Sequence, residues 1–415
     1  KPAGLEKARE MVDLLHRLDG SRAVTAGINL MILTRSAKGK FTFDPEKGRD
    51  TDSGQGGGMN STMFNLMASV VGTGMNKAAN GKKADQVTSP VLDALDIAGY
   101  NYASGRYPLE GKAHPERLVV GSETFPQDIA KNWAMVKQYP YLIGDFMWTA
   151  WDYLGETGIG AWAYTKDARG FAKPYPWLLG DCGAFDILGD PNGELFQAAA
   201  VWGKLEKPAI CVRPMNHEGK LVKSVWRGTN AIPSWSWQGC EGRKAVVEVY
   251  TAAAAVELFL HERSLGKAKV KNCKATFKVR YAPGILTAVA MNKAGQIVGK
   301  EMLVSARGKT EIAIAPEKET VRPGEVLYVP VEIVGGNGVV ECNADRKLRA
   351  TVEGGELLGF GSASPRTEER YDAGEFTTYY GRALAVVRAG ESGTVTVSVT
   401  DGQETRQAEI PILGQ

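Results

Sequence analysis

Apolar residues recur at intervals of three and four in Leu5, Ala8, Met11, Val12, Leu15 and Leu18, and Gly20 follows directly. That spacing predicts an amphipathic helix with a glycine just past its end. Four runs of strand-forming residues come next, at 23–28, 95–102, 118–123 and 141–148. Helical patterns separate or follow them, as at 129–138 and 195–205. Strands alternating with helices predict a parallel sheet. Each run closes on polar or aromatic residues: Asn29, Asn101 with Tyr102, Glu123, and Trp148 with Asp152. In a (β/α)₈ barrel the C-terminal strand ends carry the chemistry and the strand bodies only pack. Four strands make half of such a barrel.

Residues 31–90 form a long excursion between the first two strands, with a Gly-rich stretch at 53–58 and a helix-compatible segment at 63–71. The glycines neither follow a strand nor match a phosphate-binding spacing, which argues against a nucleotide loop. A loop over the barrel mouth is the expectation, since long loops in compact domains tend to carry function.

Beyond residue 205 the period changes to two. Val256-Glu257-Leu258-Phe259-Leu260 and Phe277-Lys278-Val279-Arg280-Tyr281 alternate, and Ala282-Pro283-Gly284 marks a turn. The same habit returns in Val329-Pro330-Val331-Glu332-Ile333 and in the strand-like run 393–399. Two modules of immunoglobulin-like sandwich size are expected. The predicted organisation is therefore the C-terminal half of a (β/α)₈ TIM barrel at 1–205, then immunoglobulin-like β-sandwiches at 206–306 and 307–415.

Composition narrows the function classes more than it selects one. A formal net charge of +3 over 415 residues, with no Lys/Arg block, does not point to nucleic acid. No apolar run reaches the roughly 18 residues needed to span a bilayer. Cys182, Cys211, Cys240, Cys273 and Cys342 lie far apart with no C-x-x-C pair, so small buried side chains are expected rather than a metal site or disulfide framework. His16, His114, His217 and His261 show no ligand spacing, and no cofactor is implied. The chain opens on Lys1-Pro2 without an initiating Met, from which further sequence upstream is expected.

Glycoside hydrolysis needs two carboxyl groups flanking the scissile bond, one acting as acid/base and, in retaining enzymes, the other as nucleophile. Glu123, at a strand end and bracketed by aromatics on neighbouring strands, suits the second role; a buried salt bridge is the alternative. The segments Arg22-Ala23-Val24-Thr25-Ala26-Gly27-Ile28-Asn29, Gly99-Tyr100-Asn101-Tyr102, Gly121-Ser122-Glu123-Thr124 and the run from Gly144-Asp145-Phe146-Met147-Trp148 to Tyr153-Leu154-Gly155-Glu156 occur in this order. Together they resemble the last four barrel strands of glycoside hydrolase family 2, especially its bacterial β-galactosidases. Ser234-Trp235-Ser236-Trp237 and the segments around Val256 and Ser264 are similar to the sandwich that follows the barrel there. Residues 375–385 are similar to a further C-terminal sandwich.

This resemblance implies that Glu123 is the nucleophile, that Tyr102 places its hydroxyl against that carboxylate, and that Trp148 floors the sugar subsite. Tyr100 is the alternative to Tyr102 should the register differ by two. Asn101, Asp152 and Glu156 are implied as hydroxyl partners, with turn hydrogen bonds or ion pairs as the competing role. Asp145 is expected to be structural. The family's acid/base glutamate would lie just before Lys1, so the chain alone is expected to be inert. The implied partners are a β-galactoside or related oligosaccharide and, through the open barrel, the missing N-terminal half or a second copy. A carbohydrate-binding or scaffolding protein with a barrel remnant is the competing reading. Trp235 and Trp237 are candidates for sugar contact, although alternating tryptophans more often pack inward. A secreted or periplasmic address suits polysaccharide breakdown.

Overall fold

The computed structural model describes residues 2–37, 43–44, 49–50, 72–169 and 173–414. The Gly-rich stretch at 53–58 and the segment 63–71 lie outside the described residues. The chain divides into two compact units. One comprises Lys1–Ala150, Ile159–Lys173 and Leu221–Gly228; the other comprises Trp151–Gly158, Pro174–Lys220 and Thr229–Gln415. Strand is the dominant element among the described residues.

The first unit holds four parallel strands in sequence order: β1 (Thr25–Ile28), β2 (Ile97–Asn101), β3 (Val119–Thr124) and β4 (Leu142–Met147). Each falls within one of the four predicted runs or passes its end by a single residue. The α-helices among its described residues are α1 (Pro2–Leu18), α2 (Leu30–Ala37), α3 (Lys82–Leu92), α4 (Tyr107–Ala113) and α5 (Ile129–Gln138). Ala98, Tyr100, Val119 and Leu142 share one apolar core with Leu30, Ala84, Leu92, Tyr107 and Met135 from the helices. Behind it lies a buried charge network. Arg106 and Arg117 both bond Glu110, which is fully buried, and reach out to Asp85 and Asp93 respectively. A buried carboxylate is tolerable only when paired in this way.

The sheet is open. Ile143 is 50% and Phe146 65% exposed on β4, and β1 is exposed along most of its length. On α1 the predicted apolar stripe forms a helix, yet Met11, Leu14, Leu15 and Leu18 remain in solvent and only Val12 is buried. Periodicity specifies which residues share a face; it does not supply the surface that covers them.

The second unit carries two sandwiches. One pairs the sheet Arg263–Lys269, Ala255–Leu260, Ile285–Met291, Ile297–Val304 with the sheet Lys274–Arg280, Lys244–Tyr250, Ala209–Val212. The other pairs Glu311–Ile314, Val326–Val334, Arg382–Ala389, Gly355–Gly361 with Glu375–Thr377, Lys347–Glu353, Thr394–Thr400, Thr405–Pro411. Every pairing in these sheets is antiparallel. Alternation does what it predicts: Leu327, Val329, Val331 and Ile333 are fully buried with Val395, Val397 and Val399 opposite. The helix predicted at 195–205 is α6 (Gly193–Val201).

Trp235 and Trp237 are fully buried, as inward packing requires, but the segment is irregular and not the alternating strand its spacing suggested. Ser236 is buried as well, its hydroxyl donating to Glu341 Oε2 at 2.7 Å. Trp235 Nε1 donates to the Ala282 carbonyl at 3.1 Å. All three side chains face protein because hydrogen bonding, not pleat, sets this segment's path. Four cysteines are buried and Cys273 is half-buried, and none of the five is joined in a disulfide.

Candidate active site

The C-terminal ends of β2, β3 and β4 converge through backbone pairing. Tyr100 pairs with Gly121 and Asn101 with Glu123, so Ser122 is the extra residue of a β-bulge immediately before the carboxylate. Bulges re-aim a side chain at the rim of a sheet. The Ser122 hydroxyl donates to Asn101 Oδ1 at 2.8 Å, tying the bulged residue to the neighbouring strand. A side chain at Gly27 on β1 would meet that same Asn101 oxygen at 2.8 Å, so the glycine leaves room for it. The Tyr102 N–H donates to the Glu123 carbonyl at 2.8 Å, and the Trp148 N–H to the Thr124 carbonyl at 2.9 Å. Asn101, Tyr102, Glu123 and Trp148 thus sit at one end of three adjacent strands. Glu123, Asn101 and Trp148 are half-buried and Tyr102 is buried. The peptide between Trp148 and Thr149 is cis.

Tyr102 has left the strand, with φ of 53°. Its ring lies 4.7 Å from that of Phe125 and 4.6 Å from that of Trp226, in an edge-on approach. Tyr100 has different surroundings. It is fully buried against the helices, with Arg106 5.7 Å over its ring and the Tyr107 ring stacked 6.4 Å away. Two tyrosines at i and i+2 share a face only while the backbone stays extended, and the turn at Tyr102 ends that condition.

Asp145 lies behind the end of β3. Its Oδ1 accepts from the Tyr107 hydroxyl at 2.9 Å, and its Oδ2 accepts from Thr124 Oγ1 at 2.9 Å and Asn132 Nδ2 at 3.3 Å. Burial pushes its carboxyl up from 3.8 to about 6, against the lowering effect of those hydrogen bonds. Burial, with Asp145 alongside, also raises the Tyr107 hydroxyl. Any side chain at Gly121 would collide with the Tyr107 hydroxyl and the Asp145 carboxylate.

Asp152 and Glu156 belong to the second unit. Asp152 is buried, accepts the Cys182 N–H at 3.2 Å and donates its own N–H to the Phe185 carbonyl. Glu156, exposed with φ of 42°, accepts from the Tyr153 hydroxyl.

Sequence reasoning overlooked Phe125 and Trp226. Phe125 stands two residues beyond Glu123 and is signalled by the strand period. Trp226 carries no such signal, since it arrives on the loop Leu221–Gly228, which folds with the first unit although residues of the second flank it.

Residues 312–409 match the glycoside hydrolase family 2 C-terminal domain 5, and residues 242–299 match a domain of unknown function, DUF4982. The β-galactosidase BoGH2A of Bacteroides ovatus is 23% identical over 289 residues, covering 68% of this chain and 29% of that protein. A solved glycosyl hydrolase family 2 member from Bacteroides cellulosilyticus is 28% identical with a TM-score of 0.76, over 99% of this chain and 47% of that one. A solved family 2 β-glucuronidase shares the fold, at 14% identity and a TM-score of 0.57, over 82% of this chain and 37% of that one. Residues 312–409 thus match a family 2 domain, and the chain is similar along nearly its whole length to a solved family 2 member. This chain spans less than half the length of each of these three proteins.

Proposed function

We propose that this chain carries the nucleophile of a retaining exo-β-glycosidase acting on terminal β-galactosides. In this reading the four parallel strands are the second half of a (β/α)₈ barrel, and the sandwiches at 206–306 and 307–415 follow it. The observation that carries the proposal is the convergence of Tyr102, Glu123 and Trp148 at the C-terminal ends of adjacent parallel strands, where barrel enzymes place their chemistry.

The reaction is a double displacement. The Glu123 carboxylate attacks the anomeric carbon, a glycosyl ester forms, and the glycosidic bond breaks as the leaving oxygen takes a proton from a second carboxyl group. In this reading that second group is a glutamate outside residues 1–415. Water, deprotonated by the same group, then displaces Glu123 and releases the sugar. Tyr102 donates a hydrogen bond to the Glu123 carboxylate, and Trp148 offers its ring to the C–H face of the sugar. Asn101 meets a sugar hydroxyl from the strand end. Asp152 and Glu156 are further hydroxyl partners in this reading, although the Asp152 carboxylate already accepts a backbone N–H.

The test is Glu123→Gln in the whole protein, assayed on aryl β-galactosides, β-glucuronides and β-glucosides. Turnover of the best substrate should fall by about a thousandfold or more. A 2-deoxy-2-fluoro glycoside should leave one sugar on the peptide containing Glu123. Undiminished turnover, or a label on another residue, would overturn the assignment. Sugar binding without turnover by the whole protein would favour the non-catalytic reading.

A further inference from the structure

Tyr102 holds a left-handed backbone conformation, φ 53°, which non-glycine residues rarely adopt without support from their surroundings. Part of that support lies close in sequence. Phe125 follows Glu123 on the same stretch of chain, and its ring packs against that of Tyr102 at 4.7 Å. The other part comes from far downstream. The Trp226 indole, 7% exposed, sets its ring edge-on to Tyr102 at 4.6 Å and tilted against Phe125 at 5.2 Å. It therefore touches the residue just past β2 and the residue just past β3 at once.

The loop bearing Trp226 is fastened on both sides. Val222 and Ala163 exchange backbone hydrogen bonds of 2.7 and 3.0 Å. Trp162 Nε1 donates to the Ser224 carbonyl at 3.0 Å, and Lys223 Nζ lies 4.6 Å over the Trp162 ring. The Ser224 hydroxyl donates to the Ile159 carbonyl, and Gln127 Nε2 donates to the Val225 carbonyl at 2.8 Å. A side chain fastened this way can hold its neighbour, because moving it would break several bonds together.

We propose that Trp226 is a positioning residue for the glycosidase site: with Phe125 it clamps the Tyr102 ring and so fixes the direction of the Tyr102 hydroxyl toward the Glu123 carboxylate. The inference rests on the glycosidase reading above. Misplacing a group by about 1 Å can cost roughly a hundredfold in rate even when binding is intact. The clamp's effect therefore belongs in kcat and in the ionisation of the nucleophile more than in KM.

The test is a double-mutant cycle in the whole protein, on whichever aryl β-glycoside it cleaves fastest. Trp226→Leu should lower kcat by about 10- to 100-fold while KM stays within about threefold. It should also raise the acidic limb of the kcat/KM profile in the same direction as Tyr102→Phe. Combined with Tyr102→Phe it should cost no more than Tyr102→Phe alone, since both changes remove one interaction. Trp226→Phe, which keeps an aromatic edge at Tyr102, should recover most of the loss, and it runs the same cycle should Trp226→Leu fail to fold. Losses that multiply in the double variant, or Trp226→Leu turning over like the parent, overturn the clamp while a dead Glu123→Gln leaves the glycosidase reading standing. Normal turnover by Glu123→Gln overturns both.

Discussion

The parallel sheet and the two sandwiches follow the same rule of apolar patterning and end in opposite states. In the last sandwich each buried strand residue finds its cover in the facing sheet, so Leu327, Val329, Val331, Val397 and Val399 are all fully buried. In the parallel sheet, Ile143 and Phe146 on β4 and the stripe on α1 are equally apolar and stand in solvent. Two antiparallel sheets face to face supply both halves of their own core. A parallel sheet with helices packed on one face leaves its other face for further structure to cover. The regions also differ in what they keep exposed: the sandwiches hide their tryptophans, whereas the parallel sheet gathers a carboxylate and aromatics at its strand ends.

The contrast can be broken most sharply at Trp235. Trp235→Ala should destabilise the chain by about 3–5 kcal/mol, as large-to-small core changes do, measured by urea unfolding followed by circular dichroism. A loss below about 1 kcal/mol would mean that this core is not closed in solution.

A smaller effect is expected at Asp145, where the parallel sheet keeps a carboxyl away from water. Its folded value of about 6 lies above the ordinary 3.8. The folded state therefore retains a proton that the unfolded state has released, and stability falls as pH rises from about 4 through about 6. Asp145→Asn removes that proton. The variant should lose on the order of 1–2 kcal/mol less than the parent between pH 4 and pH 7. Parallel pH curves for the two proteins would show that Asp145 ionises normally.

The smallest change should come from Phe146. With its side chain 65% exposed, Phe146→Ser should alter the stability of residues 1–415 by no more than about 0.5 kcal/mol. The substitution should also weaken any self-association of this chain, read by sedimentation at rising concentration, because an uncovered apolar patch favours contact. A destabilisation near that of Trp235→Ala would place Phe146 in a core.

Local pattern carried much of this molecule. The four parallel strands, the helix at 129–138 and the alternating strands of both sandwiches were legible because each answers to a period of two or 3.6 set by backbone geometry alone. The strand-end position of Glu123 was legible for the same reason, since a hydrophobic run that stops at a carboxylate marks where the strand leaves the core. Several features needed the folded chain. Ser122 became a bulge only because β2 and β3 pair out of step, and the left-handed backbone of Tyr102 itself takes it off the face that Tyr100 occupies. Trp235-Ser236-Trp237 looked like a strand and is held irregular by hydrogen bonds to residues distant in sequence. Trp226 reached Tyr102 across a long stretch of chain. Periodicity reports which neighbours within one element share a face; it says nothing of which distant loop will arrive to cover that face, or of which face will find no cover. Those outcomes depend on long-range packing, and only the tertiary structure decides them.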